Sequence, residues 1–451
     1  MAWLGSLLAA ALLAQVAVRA WAGALVLGGP VLYGEGAVAN AARLLGGGAY
    51  GNAGGENFVA ANYPPLYLWI AGLDLGDAFL AGRVASITAT VAVGGVIAWR
   101  GRASPLVAAA LGIGWIAAAP VALWGAALKP DLVAVALTIA GVVLIERRQG
   151  LPAGAALVLA VFTKPTALLP ALALIGWVAA RDRPQLRRLA LGLALGAAAC
   201  LAVVVALGPA AVWRHVVTWN ALPWSLGEAA AVAYLALATV GVLAVAAVLV
   251  RGARGPVGAY LVAALGIMLL GGREGATINY LLDLAAASLL ALAVGAPRLR
   301  RSVLFPVAAV LQLAVATLVL DPHAILPDRR PTTGAWGDPA RIAAARAALP
   351  PGPILAEDSG LLLAAGRTPV IDDLFLWSRL VSRHEIDPAP ILAAVASGRY
   401  AAVLSAVDLE RLDEAAAFER ARWDPALAAA IRARYALAGR LDGPLYLYRP
   451  R

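Results

Sequence analysis

About eleven apolar stretches follow one another along the first 320 residues, and arginines close every second connection between them. They run from Trp3 to Leu27, Phe79 to Ala98, Pro105 to Ala126, Leu132 to Ile145, Leu151 to Phe162 and Thr166 to Ala180. The series continues with Leu186 to Leu207, Ala229 to Val250, Val257 to Leu270, Tyr280 to Val294 and Val303 to Leu320. The arginines number about thirteen: Arg100, Arg102, Arg147, Arg148, Arg181, Arg183, Arg187, Arg188, Arg251, Arg254, Arg298, Arg300 and Arg301. Positive charge collects on the cytoplasmic side of membrane proteins. This pattern therefore predicts a cytoplasmic N-terminus, with the loop carrying Glu35, Lys129 to Asp131, Lys164, the Trp213 loop, Arg273 to Tyr280 and the tail outside. The two short runs flanking Lys164-Pro165 are the weak point, because one broken or re-entrant element there changes the parity.

With 62% hydrophobic and 14% charged residues, the composition is that of a polytopic membrane protein. The net charge of +10 comes from the first 320 residues, which hold 20 basic and 10 acidic groups against 16 of each in the tail. It is thus a topology signal rather than a polyanion-binding surface, and no nucleic acid is expected as a partner. The one cysteine, Cys200, lies inside an apolar run, so there is no disulfide framework. The N-terminus reads as a retained first helix.

After Asp321-Pro322 the composition becomes charged, balanced in sign and punctuated by Pro and Gly. Residues 321–451 are expected to form a small extracytoplasmic α/β domain after a transmembrane domain spanning 1–320. Its expected helices are Arg341 to Ala348, Pro388 to Ala396 and one from Asp424-Pro425 to about Tyr435. Strands are expected at Ile354 to Ala356, Ala401 to Leu404 and Leu445 to Tyr448. Glu357, Asp358, Asp372 and Asp373 read as solvated surface.

The first outer loop, 28–78, is a polar, glycine-rich island in this apolar chain. Glu35 stands where the first span leaves the lipid. A short amphipathic helix follows, with Val38, Ala42 and Leu45 on one face and Asn40 and Arg43 off it. Gly46-Gly47-Gly48 stops it, and Tyr63-Pro64-Pro65 forces an extended entry into Leu66 to Leu75, a surface-lying helix too short to cross the ~30 Å core. The alternative for Glu35 is a solvated carboxylate at a helix start.

The polar groups at outer span ends are Glu35, Arg83, Lys129, Asp131, Lys164, Arg273, Glu274, Asn279 and Tyr280. Charges near lipid are costly, so such a set marks a candidate site. Cations suit a phosphate leaving group, and a carboxylate suits the proton of an attacking hydroxyl. Only two lysines occur, Lys129 and Lys164, each before Pro, and a compact ammonium acts as a point charge on phosphate. Chance, helix capping by Asp131 and interfacial anchoring by Arg273 and Tyr280 are the bland alternatives. The histidines His215, His323 and His384 fall in no ligand-spaced motif, and a metal site from Glu35, Asp131 and His215 is a remote option.

Gly34-Glu-Gly36, the helix ending in Gly-Gly-Ala-Tyr50, and Tyr63-Pro-Pro-Leu-Tyr67 resemble the first outer loop of GT-C membrane glycosyltransferases. The similarity is to the family 39-like branch, which includes protein O-mannosyltransferases and the lipid A aminoarabinose transferase. Phe162-Thr-Lys-Pro165 resembles a Lys-bearing turn of that branch, and Arg273 with Asn279-Tyr280 resembles its late outer loop. The chain departs from the family in having one carboxylate, Glu35, where many members have an acidic pair. The resemblance implies GT-C architecture, which agrees with the polytopic α-helical protein of about eleven transmembrane helices read from the apolar stretches; the Ala- and Arg-rich composition points to a bacterial plasma membrane. The resemblance also implies transfer of a sugar from a polyprenyl-phosphate donor to a glycan, lipid or protein acceptor. Glu35 and Asp131 take catalytic roles, Lys164, Arg273, Arg83 and Lys129 hold donor phosphate, and Tyr63, Asn279 and Tyr280 bind substrate. Members differ in whether they use a divalent metal ion, so none is assigned. A transporter or lipid flippase, which would carry its charges near mid-membrane, and a non-catalytic scaffold are the other readings.

Overall fold

A computed structural model describes residues 2–51, 55–250, 252–320, 339–441 and 445–451. The Asp321-Pro322 boundary and His323 lie outside these residues. In an apolar medium the peptide groups must satisfy one another, and a helix does so within a single segment. Each of the eleven apolar stretches is accordingly helical. Ala2–Val26, Leu80–Arg100, Arg183–Leu207 and Leu226–Leu249 are long and apolar enough to cross a membrane unaided, and the others are shorter apolar helices.

Three stretches are interrupted. The third breaks at Ala118, which is extended, into Pro105–Ala117 and Ala119–Trp124; Pro120 lies in the first turn of the second piece, where its missing N–H costs nothing. Lys164 is extended (φ −147°, ψ 122°), as a residue before proline prefers, and separates Gly150–Thr163 from a 3₁₀ turn, Pro165–Ala167, and the helix Leu168–Arg181. The tenth opens with a 3₁₀ turn, Ile278–Leu281, before Leu282–Val294.

The chain divides into two compact units. The first comprises the described residues of Met1–Gly23, Arg83–Val205 and Leu222–Arg330. Indole N–H groups tie its helices together across sequence: Trp3 donates to the Leu299 carbonyl at 3.2 Å, Trp21 to Ala122 at 2.9 Å and Trp115 to Thr90 at 2.9 Å. The helices Gly150–Thr163 and Arg183–Leu207 each carry a Gly-x-x-x-Gly repeat, Gly150/Gly154 and Gly192/Gly196, that brings them close together, with Gly150 against Gln185 and Leu189 and Gly192 against Leu151. A methyl at Gly192 would overlap the Leu151 carbonyl, and one at Gly154 the Leu189 carbonyl.

The second unit draws on Ala24–Gly82, Ala206–Ala221 and the described part of Pro331–Arg451. Four strands, β1 (Ile354–Ala356), β2 (Ala402–Ser405), β3 (Tyr435–Arg440) and β4 (Tyr446–Pro450), form a sheet in the order β1-β2-β4-β3. β1 and β2 are parallel, and the other pairings are antiparallel. The expected tail helices are present as Pro339–Ala348, Ala389–Ala396 and Pro425–Arg434, the last capped by Asp424 through the Leu427 amide. Ser359–Ala364, Leu374–Ser382 and β3 add to the sequence-based expectation.

The outer loop is part of this unit. Its helix, Glu35–Arg43, is buried through Ala42, so the expected split into an apolar and a polar face does not hold. Ser359–Ala364 packs on it where Gly36 and Gly360 meet without side chains, and the Asn40 amide donates to Asp372 at 3.0 Å. Phe58 pairs with Ile371 in a parallel bridge, its N–H on the Val370 carbonyl at 2.8 Å. A short helix follows Tyr63-Pro64, where Leu66 to Leu75 is expected to be helical, but it runs from Pro65 to Ala71 and ends at Gly72.

Gly192→Ala should overpack the helix contact at a cost of ~1–3 kcal/mol and lower the melting temperature in detergent. Gly176→Ala, where a methyl meets open space, is the control and should be neutral or stabilising. Equal melting temperatures for the two variants would remove the proposed close contact.

Candidate active site

In the first unit, an ammonium and a carboxylate meet inside the apolar bundle. Asp131, at the first turn of Asp131–Glu146, is 2% exposed, and its Oδ1 accepts a hydrogen bond from Lys164 Nζ. The same oxygen accepts from the Asn279 amide at 2.8 Å. Its other oxygen, Oδ2, is buried with no partner among the described residues. Lys164 Nζ also lies 5.2 Å from the centre of the Tyr280 ring, and the Tyr280 hydroxyl accepts from Arg273 Nη2 at 2.9 Å. Asp131, Lys164, Arg273, Asn279 and Tyr280 are thus one connected group. The kinks after Thr163 and before Leu282 place Lys164 and Asn279 at helix ends, where side chains of different helices can converge.

The Arg273 turn is held from outside the helices. Ser225 N–H reaches the Gly272 carbonyl at 2.8 Å, Glu274 N–H the Pro223 carbonyl at 2.9 Å, and the Trp224 indole the Leu269 carbonyl at 2.8 Å. A side chain at Gly272 would fall on the Trp224 indole, so this turn requires glycine. Lys129 is half-buried two residues before Asp131, in a turn fixed by the Ser86 hydroxyl on the Ala127 carbonyl at 2.7 Å. Arg83 is 1% exposed within Leu80–Arg100. A further carboxylate, the half-buried Asp283, accepts from the Tyr260 hydroxyl at 2.8 Å.

In the second unit, Glu35 is fully buried, and its Oε2 accepts from the Val31 amide at 2.7 Å and the Leu32 amide at 3.4 Å. The carboxylate therefore closes the turn before its own helix, which Gly34 enters at φ 78°. Tyr63 is half-buried, its carbonyl accepting from the Tyr50 hydroxyl at 2.6 Å.

The four tail carboxylates expected at the surface are all buried. Glu357 is bound by Arg422 at 2.8 Å, the Ala406 amide at 2.8 Å, and the Trp423 indole and Ser405 hydroxyl, both at 3.2 Å. Asp358 caps Gly360, Asp373 caps Leu376, and Asp372 accepts from the Ala60 amide at 2.8 Å as well as from Asn40. Burial pushes the Asp372 carboxyl up to about 8 against its hydrogen bonds. Burial likewise raises Asp358 to about 7, with the Glu35 charge adding in the same direction. Asp373 before Leu-Phe-Leu is a helix-start signal, which could have pointed to its capping role.

His215 belongs to this unit too. It is fully buried, accepts the Ala61 amide on Nδ1 at 3.2 Å and stacks 4.2 Å from Trp219. Burial and the Arg214 charge lower its pKa to about 4, so the ring is neutral. Among the described residues no three His, Cys, Asp or Glu side chains are grouped to hold a metal ion.

No family model matches the chain, and no curated protein does. Two solved structures match along nearly the whole length. The chain superposes on ArnT from Cupriavidus metallidurans in the apo state with a TM-score of 0.59 at 16% identity, covering 97% of each chain. ArnT from the same organism bound to undecaprenyl phosphate matches with a TM-score of 0.59 at 15% identity and the same coverage. The chain therefore shares the fold of these ArnT structures, a bundle of apolar helices with a small C-terminal sheet.

Lys164→Met should destabilise the protein by ~3–5 kcal/mol, because it leaves the buried Asp131 charge without its ammonium. Adding Asp131→Asn should recover part of that loss in thermal unfolding; additive losses would show the pair is uncoupled. The second unit should lose stability as pH rises. An unfolded Asp titrates near ~3.9, whereas folded Asp372 titrates at about 8. The folded state therefore holds the proton more tightly, and this contribution is complete below pH ~4 and lost as pH passes 8. Melting temperatures measured from pH 6 to 9 should fall, and less so in Asp372→Asn.

Proposed function

We propose that the chain is a plasma-membrane glycosyltransferase that takes a sugar from a polyprenyl-phosphate carrier and adds it to an acceptor hydroxyl outside the membrane. The carrying observation is the buried Asp131–Lys164 pair joined to Asn279, Tyr280 and Arg273 in a fold shared with a protein crystallised with undecaprenyl phosphate. Burying two charges is costly unless they do something there, and an ion pair at helix ends is a ready exchange site for a ligand anion.

In this reading Lys164 and Arg273 hold the donor phosphate, with Lys129 and Arg83 adding positive potential. Asn279, Tyr280 and Tyr63 line the substrate. The acceptor oxygen attacks the anomeric carbon as the carbon–oxygen bond to phosphate breaks. The electron pair leaves on the polyprenyl phosphate, where the cations neutralise it. The hydroxyl proton passes to a carboxylate, for which we assign Glu35, with Asp131 orienting Lys164. One displacement inverts the anomeric centre and needs one base. The N-terminus faces the cytoplasm and the tail faces outward.

Purified protein in lipid, given polyprenyl-phosphate sugars and envelope extract, should transfer sugar. Glu35→Gln should reduce the rate at least about a hundredfold, as loss of a general base does. Transfer that survives this change but fails in Asp131→Asn would move the base to Asp131. Transfer by neither the wild type nor any variant, from any donor, would leave the transporter and scaffold readings standing instead.

A further inference from the structure

Away from these residues, a groove of about 620 Å³ opens between Leu80–Arg100 and Asp131–Glu146. Small side chains make it: Ala92, Gly95, Ala136 and Ala140 form the depression, with Val143 and Leu144 toward one end. Its size lies within the ~300–1,000 Å³ of ordinary ligand sites. Along the second helix it runs from Ala136 to Arg147, roughly 16 Å at the rise of an α-helix, or about half the hydrocarbon thickness of a bilayer.

The same end carries a concentration of positive charge. Three guanidiniums surround the Trp99 ring: Arg102 at 4.8 Å, Arg147 at 5.0 Å and Arg100 at 5.7 Å from its centre. Arg100 is neutralised by Glu146 at 2.8 Å. Arg102 and Arg147 are solvent-exposed and have no carboxylate partner among the described residues. Trp99 is 36% exposed, an amphipathic ring of the kind found at headgroup level.

We propose that this groove is a binding site for an acidic phospholipid, one acyl chain lying along Ala92, Gly95, Ala136 and Ala140 and the phosphate resting between Arg102 and Arg147. An apolar trough that ends in two uncompensated guanidinium forks matches a molecule with an apolar tail and an anionic head. A zwitterionic lipid would bring a cation of its own into the cluster and lose that complementarity. The site does not depend on the transferase reading, since it uses none of the residues assigned there.

Native mass spectrometry of the full chain, released from micelles holding equal phosphatidylglycerol and phosphatidylcholine of matched chains, tests it. The wild type should retain phosphatidylglycerol with at least about a threefold preference. Arg102→Gln with Arg147→Gln should abolish the preference, and Gly95→Leu, placed where a side chain meets open space, should fill the groove and lower retention. Thermal unfolding of the wild type with each lipid needs no variant and should show a larger upward shift with phosphatidylglycerol. Equal retention of both lipids, a preference that outlasts the arginine changes, or retention unaffected by Gly95→Leu would overturn the proposal. Stronger retention of a polyprenyl phosphate through the same arginines would overturn its assignment to a phospholipid.

Discussion

A peptide group withdrawn from water must find its hydrogen-bond partner within the protein, and in an apolar surrounding only a segment that satisfies itself can stand alone. The division of secondary structure in this chain follows from that constraint. The apolar stretches are helical, and the four-stranded sheet occurs where the sequence turns polar. Where the ladder is interrupted, at Ala118, Lys164 and Ile278, a proline or a short 3₁₀ turn manages the loose ends. Two of those interruptions lie at the polar group around Asp131. The chain thus places its costly charges where its helices already have to end.

The helical spans were legible because length, apolarity and flanking arginines all act locally. The two lysines were also readable as unusual, and Lys164 does pair with Asp131. What escaped was set by residues far away in sequence. Glu357, Asp358, Asp372 and Asp373 look like any charged tail, and their burial becomes tolerable only through partners such as Arg422, Trp423, Asn40 and the Ala60, Gly360, Leu376 and Ala406 amides. Asn40 and Arg43 marked a polar face on the loop helix, but Asn40 turned out to be an internal hydrogen-bond donor. The Gly-x-x-x-Gly repeats of Gly150–Thr163 and Arg183–Leu207 were present in the sequence and went unread, because small residues are common in this alanine-rich chain.

Glu35 illustrates how a residue can be well placed by sequence and still be changed in meaning by structure. It begins a helix, as expected, but its carboxylate is sealed against two amides of its own turn. A carboxylate in that setting is held still, and its position depends on the turn from Val31 to Gly34. Asp131 offers the complementary case, an oxygen without a partner among the described residues beside a cation. Both carboxylates are preorganised, one by its turn and one by an ion pair.

The second unit is assembled from segments that leave the ribosome far apart in time. Phe58 and its partner Ile371 are separated by more than 300 residues. At ~5–20 residues per second, the intervening chain takes roughly 15–60 s to synthesise. For that interval the loop helix that carries Glu35 has neither Ser359–Ala364 nor Asp372 to pack against. Several of its buried groups, Asn40 among them, must wait in water or in the company of a chaperone. A nascent chain halted before residue 370 would leave the first loop unfinished however well its helices had inserted, so quality control of this protein has a natural checkpoint in its last hundred residues.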